Sequence, residues 1–299
     1  MSATPLPAPH ADALARVPVV ARSATIAGAE THWWEYGPQA PASGTIIAVH
    51  GYRGDHHGIE PVIARLPEFR VVNPDLPGYG ISGPLPGTHT VDAYADWLIE
   101  FADLVTVGQL TILGHSFGSI VAAAALEKGL APDRIVLMNP IASDPLRGAK
   151  AVGTRLASSW YRLAGIMSER AGRRTLEARF MVDGMSALTT KTRDPELRRW
   201  IKEEHRRYFN DFHSTTSVIE GFDASVSDNV GMHANRFTMP TLLIAAAQDQ
   251  ITALRDVERL HGSIAGSELV VFDRVGHLIH YERAQEAADA IRSFIGGTG

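Results

Sequence analysis

The run Leu110-Thr111-Ile112-Leu113-Gly114-His115-Ser116-Phe117-Gly118-Ser119-Ile120-Val121 constrains the fold of this chain more than any other. A short apolar stretch meets G-x-S-x-G and then an Ala-rich run, so a buried strand must pass into a helix within about two residues. A turn that sharp leaves no room for flanking side chains, a demand met by Gly114 and Gly118. It lifts Ser116 above the rim of a sheet and sets it at the N-terminus of the next helix. Free amides and the positive end of the helix dipole favour a developing anion there.

The rest of the chain alternates short β-branched runs with amphipathic stretches, the sequence form of an α/β protein whose mostly parallel sheet is covered by helices. Residues 17–26 and 31–36 read as an antiparallel opening pair. Apolar runs at 45–49, 69–72, 110–113, 134–138, 241–245 and 268–272 read as strands buried on both faces. Helical patterns fall at 58–66, 91–105, 119–128, 253–261 and 283–295. At 299 residues, one large domain carrying an insertion is expected. The insertion is the stretch 140–233, where the alternation stops and helical periodicity continues without a buried strand. The core is therefore assigned to 17–139 and 234–299, with 1–16, rich in Pro and Ala, read as a loosely ordered N-terminal segment.

The insertion holds 15 Lys and Arg against 12 Asp and Glu. Much of that charge (Arg198, Arg199, Lys202, Glu203, Glu204, Arg206, Arg207) lies in one helix and reads as a solvated face, with an anion-attracting pocket rim as the alternative. Over the whole chain 45% of residues are hydrophobic and 20% charged, which excludes general disorder. A net charge of -5 argues against nucleic acid as a partner. The first twenty residues lack a basic start followed by an apolar run, and no apolar stretch approaches the roughly 18 residues of a membrane span, so a cytoplasmic chain without membrane attachment is expected. The complete absence of cysteine rules out disulfides, thiolate zinc sites and a cysteine nucleophile. Chemistry must rest on hydroxyls, imidazoles and carboxylates.

A serine of ordinary acidity needs a base within hydrogen-bond reach, itself oriented by an acid. The run Thr241 to Ala247 leads into Asp249, and the last strand leads through Asp273-Arg274-Val275 to Gly276-His277, so Ser116, Asp249 and His277 all sit in loops at the same end of the sheet. Asp144, after the sixth strand, is the alternative acid, and His280 the alternative base. Oxyanion donors are expected from the Phe117 amide and, on a separate loop, the Tyr52 amide beside His50-Gly51. His50 is read as bracing that loop, with His50, Gly51, His57 and His115 as candidate pocket residues. His205 and His213 are read as surface or pocket-wall residues.

These motifs, His50-Gly51, Gly114-His115-Ser116-Phe117-Gly118, Asp249 and Gly276-His277, together with Asp75-Leu76-Pro77-Gly78-Tyr79-Gly80-Ile81-Ser82, resemble the α/β-hydrolase superfamily from Val17 to Ile295. The resemblance implies a sheet of eight strands and a helical cap inserted after the sixth, placed at 140–233. Superfamily dehalogenases and epoxide hydrolases carry Asp at the nucleophile position, which Ser116 does not match. The C–C bond hydrolases usually have Trp after the catalytic His, where this chain has Leu278.

Gly78-Tyr79-Gly80-Ile81-Ser82-Gly83 fits the dinucleotide fingerprint, but Pro84 and Pro86 forbid the helix that would hold a pyrophosphate. His50, Asp55, His56 and His57 are hard ligands, yet adjacent loop histidines rarely converge on one ion, so no metal is expected. The sequence reading is a cofactor-free serine hydrolase of a small ester-like molecule, monomeric or homodimeric. A C–C hydrolase, thioesterase or amidase could use the same triad. A slow-turnover ligand receptor and a cofactor-free haloperoxidase are the alternatives of other classes.

Overall fold

The computed structural model describes residues 8–40, 44–147 and 151–297. Its elements run α1 (Ala11–Leu14), β1 (Val19–Ile26), β2 (Ala29–Tyr36), β3 (Thr45–Val49), α2 (Glu60–Ile63), β4 (Arg70–Pro74), α3 (Val91–Val105), β5 (Leu110–His115), α4 (Phe117–Glu127) and β6 (Arg134–Met138). There follow α5 (Ala151–Gly165), α6 (Glu169–Leu176), α7 (Arg179–Thr189), α8 (Pro195–Tyr208), α9 (Thr215–Ser227), β7 (Thr241–Ala246), α10 (Leu254–Ser263), β8 (Glu268–Phe272), α11 (Ile279–Glu282) and α12 (Ala284–Gly296).

The strands form one eight-stranded sheet in the order β1-β2-β4-β3-β5-β6-β7-β8. β2 is antiparallel to both β1 and β4, and every later pairing is parallel. Strand alternation splits the core between the two faces. Ile47 and Val49 of β3 join Ile112, Ile135, Leu137 and Leu243 under α3 and α4, while Ile46 and Ala48 join Leu113, Val136, Met138 and Ile244 under α2 and α12. The central strands β3, β5 and β7 are buried along their whole length, as their unbroken apolar runs require.

The chain leaves β3 towards β4 on one side and returns to β5 on the other, which opens a crevice outside the carboxyl ends of β3 and β5. Both Gly51 and Ser116 lie at that crevice. The helices α5 to α9 occupy the long connection between β6 and β7, and several of their side chains face the same opening.

Three expectations need correction. Residues 8–16 are in part packed: His10 is 5% exposed and its ring meets Trp200 of α8 edge-on at 5.6 Å, while the other residues of the segment are half-buried or exposed. Residues 1–7 lie outside the described residues. β8 is the sheet edge, so its residues are half-buried or exposed rather than covered on both faces. The charged helix α8 is only partly a solvated face, since Arg206 makes a two-pronged pair with Asp183 of α7 at 2.6 and 2.7 Å and Glu204 faces the cavity described below. No helix of the described residues is long and apolar enough to cross a membrane.

Candidate active site

Ser116 sits at φ 53°, ψ -117° between β5 and α4, a conformation that L-residues hold only when the surroundings impose it. The surroundings do so through the flanking glycines. A Cβ on Gly118 would stand 2.1 Å from the Val49 carbonyl oxygen, and one on Gly114 would stand 2.7 Å from the Gly118 carbonyl oxygen. The turn is closed by the Ser116 amide donating to Met138 O at 3.1 Å and by Ser119 Oγ donating to Ser116 O at 2.5 Å.

The three distant residues meet above the sheet. His277 Nε2 lies 2.7 Å from Ser116 Oγ and His277 Nδ1 lies 2.8 Å from Asp249 Oδ2. Asp249 is held from four directions: Oδ1 accepts from the Ile251 and Thr252 amides at 2.7 and 3.2 Å, and Oδ2 accepts from Asn139 Nδ2 at 2.9 Å as well as from the imidazole. Burial alone would raise its pKa, but the His277 ring, the Ile251 amide and Asn139 together outweigh that and hold it below the ordinary carboxylate value. It is the ionised partner that an imidazolium requires.

Asn139 was not singled out in the sequence. It follows β6 directly, is fully buried and adopts φ 47°. Its amide donates to Ile244 O at 2.8 Å, which fixes the side chain beside the end of β7. A polar residue next to a strand end and before Pro140 was the available signal.

The loop after β3 packs against the serine so closely that a Cβ on Gly51 would stand 3.2 Å from Ser116 Cβ. Among the described residues no backbone carbonyl takes the amide of Tyr52 or Phe117. His50 braces this loop: its Nδ1 donates to Gly51 O and its Nε2 accepts from the Leu76 amide, both at 2.8 Å. That pattern requires a neutral ring, in keeping with a pKa lowered by burial.

The next two side chains reach into the inserted helices. Tyr52 Oη donates to Val218 O of α9 at 2.8 Å. Arg53, 4% exposed, donates to Phe209 O, Leu176 O, Asn210 Oδ1 and Tyr161 Oη between 2.8 and 3.3 Å, and its guanidinium lies over the Phe209 ring at 4.2 Å.

A cavity of about 360 Å³ opens from Ser116 and His277 between the sheet and the inserted helices. Its wall is largely apolar, with Ile59, Tyr161, Met185, Phe222 and Val226 prominent. His50, Gly51 and His115 line it, but His57 does not. Asp55 caps the short turn 56–58 by accepting from the His57 amide at 3.0 Å and binds His57 Nδ1 at 3.1 Å. The ring consequently stacks on Tyr208 at 3.9 Å instead of reaching the cavity. His56 is likewise engaged, stacked on Trp34 and bonded to Asp75 Oδ1 at 2.8 Å. The ligand atoms of Asp55, His56 and His57 do lie within 4.8 Å of one another, but these internal bonds already use Nδ1 of both histidines.

Neither alternative acid nor alternative base is in place. Asp144 accepts from the Leu146 amide and pairs with Arg147. His280, on α11, packs its ring 4.2 Å from that of His115 rather than on the serine. His205 lines the cavity and His213 is exposed.

Burial lowers several of these histidines, His115 to about 3 and His205 and His10 to about 4. Below the ordinary value of 6.5 the unfolded chain takes up protons that the folded chain refuses, so folding stability falls as pH drops from about 6.5 towards 4. Asp249, with its lowered pKa, adds stability that persists in this window and is lost only at more acid pH. The melting temperature is expected to fall as pH drops from 6.5 to 5, with Glu204, raised to about 7 by burial, offsetting part of the loss. A flat profile over that range would mean that these rings are not held neutral.

Fold and site together define an enzyme class in which a serine on a strand-to-helix turn faces an imidazole and a carboxylate. The alpha/beta hydrolase family profile matches residues 46–290, and the chain belongs to that family. It is similar to Lipase LipV of Mycobacterium tuberculosis, at 36% identity over 137 residues, which is 44% of this chain and half of the lipase. A pimeloyl-[acyl-carrier protein] methyl ester esterase of Neisseria meningitidis is 25% identical over 260 residues, covering 84% of this chain and 77% of the esterase. Among solved structures, the enol-lactonase of Burkholderia xenovorans superposes with a TM-score of 0.76 at 19% identity, over 92% of this chain and all of that one.

Proposed function

We propose that this protein is a serine esterase that cleaves a small-molecule ester through an acyl-enzyme on Ser116. The observation that carries the reading is the unbroken relay from Ser116 Oγ through His277 to Asp249, at 2.7 and 2.8 Å. Ser116 Oγ attacks the ester carbonyl carbon as His277 Nε2 takes its proton, while Asp249 keeps the other imidazole proton on Nδ1 and offsets the positive ring. The Tyr52 and Phe117 amides receive the oxyanion. As the tetrahedral species collapses, His277 returns the proton to the leaving alkoxide. It then deprotonates water, which attacks the acyl carbon and frees Ser116.

The inserted stretch 140–233 acts in this reading as a cap that supplies most of the apolar cavity wall. The esterase and lipase named above support an ester over a C–C bond as the scissile group, as does Leu278 in place of Trp. Treatment with a fluorophosphonate is expected to add one adduct, which peptide mass spectrometry places on Ser116. No adduct, or one elsewhere, would remove the basis of the proposal.

A further inference from the structure

The cavity wall contains a polar strip that the reaction above does not use. It starts beside the nucleophile, where His115 packs against His280 at 4.2 Å, and continues through Tyr281, 4.2 Å from His280, to His205, 5.9 Å from Tyr281. All four residues line the cavity. His280 is 5% exposed, and Nδ1 of both His280 and His205 is sealed in protein without a hydrogen-bond partner. Nε2 of neither ring is sealed in this way, and with both residues on the cavity lining it is the nitrogen through which each can meet an occupant. A sealed nitrogen with no acceptor nearby is better left as a bare lone pair than as an orphaned N–H, so each ring carries its proton on Nε2. The strip offers two uncharged N–H donors to whatever fills the cavity.

We propose that His280 and His205 form a polar subsite for an acceptor oxygen of the substrate, so that the preferred ester or lactone is neutral and carries an oxo or hydroxyl group remote from the scissile carbonyl. This rests on the serine esterase reading. A carboxylate would fit the same donors geometrically but not electrically. Burial keeps His205 at about 4 and His280 well below its ordinary value, so neither supplies a positive charge at neutral pH. The adjacent Glu204, raised to about 7 by burial, adds partial negative charge to the same wall. Arg53, the cation on the cavity lining nearest the nucleophile loop, already gives its hydrogen bonds to four acceptors. A buried anion would go uncompensated.

The test compares p-nitrophenyl hexanoate with the 4-oxo, 5-oxo, 5-hydroxy and 6-hydroxy esters and with the adipate monoester, alongside acetate esters bearing the same groups in the alcohol half. At least one oxo or hydroxy ester should exceed its unsubstituted parent about tenfold in kcat/KM, the scale of one or two hydrogen bonds to neutral donors, and the adipate ester should fall below hexanoate. The oxo and hydroxy arms identify which oxygen is read. His280→Phe and His205→Phe, each verified by its melting curve, should bring the favoured ratio close to one. If either variant fails to fold, the wild-type ratios still decide. Ratios below threefold throughout, preference for adipate, or a ratio that survives both substitutions would overturn the subsite. In those cases ester turnover and labelling of Ser116 would leave the esterase reading intact. Absence of both turnover and labelling would remove that reading and the subsite with it.

Discussion

Replacing Ser116 with Ala is expected to leave a folded protein whose kcat on p-nitrophenyl butyrate is lower by about 10⁵-fold. The size of the effect follows from what remains. His277 and Asp249 would still form their 2.8 Å pair, and the Tyr52 and Phe117 amides proposed for the oxyanion would remain, but no atom would be left to carry the acyl group. Water attacking directly has no fixed position, so only the modest acceleration from substrate binding and oxyanion stabilisation persists. The Ala side chain fits the turn sterically, although φ 53° remains costly for it, so the melting temperature should shift only slightly. Steady-state rates beside a melting curve check both parts. A loss under tenfold with the fold intact would place the nucleophile elsewhere.

The second large effect is expected from Asp249→Asn, about 10⁴-fold in kcat with the melting temperature lowered by a few degrees. The hydrogen bonds around the carboxylate dictate the outcome. Two backbone amides, Ile251 and Thr252, donate to Oδ1, so the new amide keeps its oxygen there and turns its NH₂ towards His277 and Asn139 Nδ2. The imidazole then meets a donor where it had an acceptor. Its proton moves to Nε2, facing Ser116 Oγ, and the lone pair that should take the serine proton is gone. Wild type and variant assayed on one ester, beside their melting curves, read out this expectation. If Asp249→Asn retained more than a tenth of wild-type kcat, Asp249 would be a loop anchor and nothing more.

The strand pattern of the sheet was legible because β3, β5, β6 and β7 are covered on both faces and their apolar runs are unbroken. The same physics misled at β8. Its apolar run suits a half-covered edge equally well, and only the strand order reveals that it is one. Ser116, Asp249 and His277 were legible for a topological reason: each follows a strand of a parallel sheet, so its loop must emerge at the shared carboxyl end. Asn139 was not, because its function depends on which strand lies beside β6, and one-dimensional spacing carries no neighbour relation. His57 failed as a cavity residue for a local reason, the cap made by Asp55, which turns the ring by geometry that composition does not encode. The inserted helices are amphipathic one by one, but their arrangement depends on contacts with one another and with side chains arriving from the loop after β3.

That last relation has a practical consequence. Tyr52 carries one of the two amides proposed for the oxyanion, and it and Arg53 are tethered to α5, α6, α9 and the end of α8 by five hydrogen bonds. If the proposed oxyanion role holds, the helices that wall the cavity and the loop that serves the reaction share these bonds. An engineer who swaps the roof to admit a different molecule also loosens the floor on which catalysis stands, unless the grafted roof reproduces the acceptors that grip these two side chains.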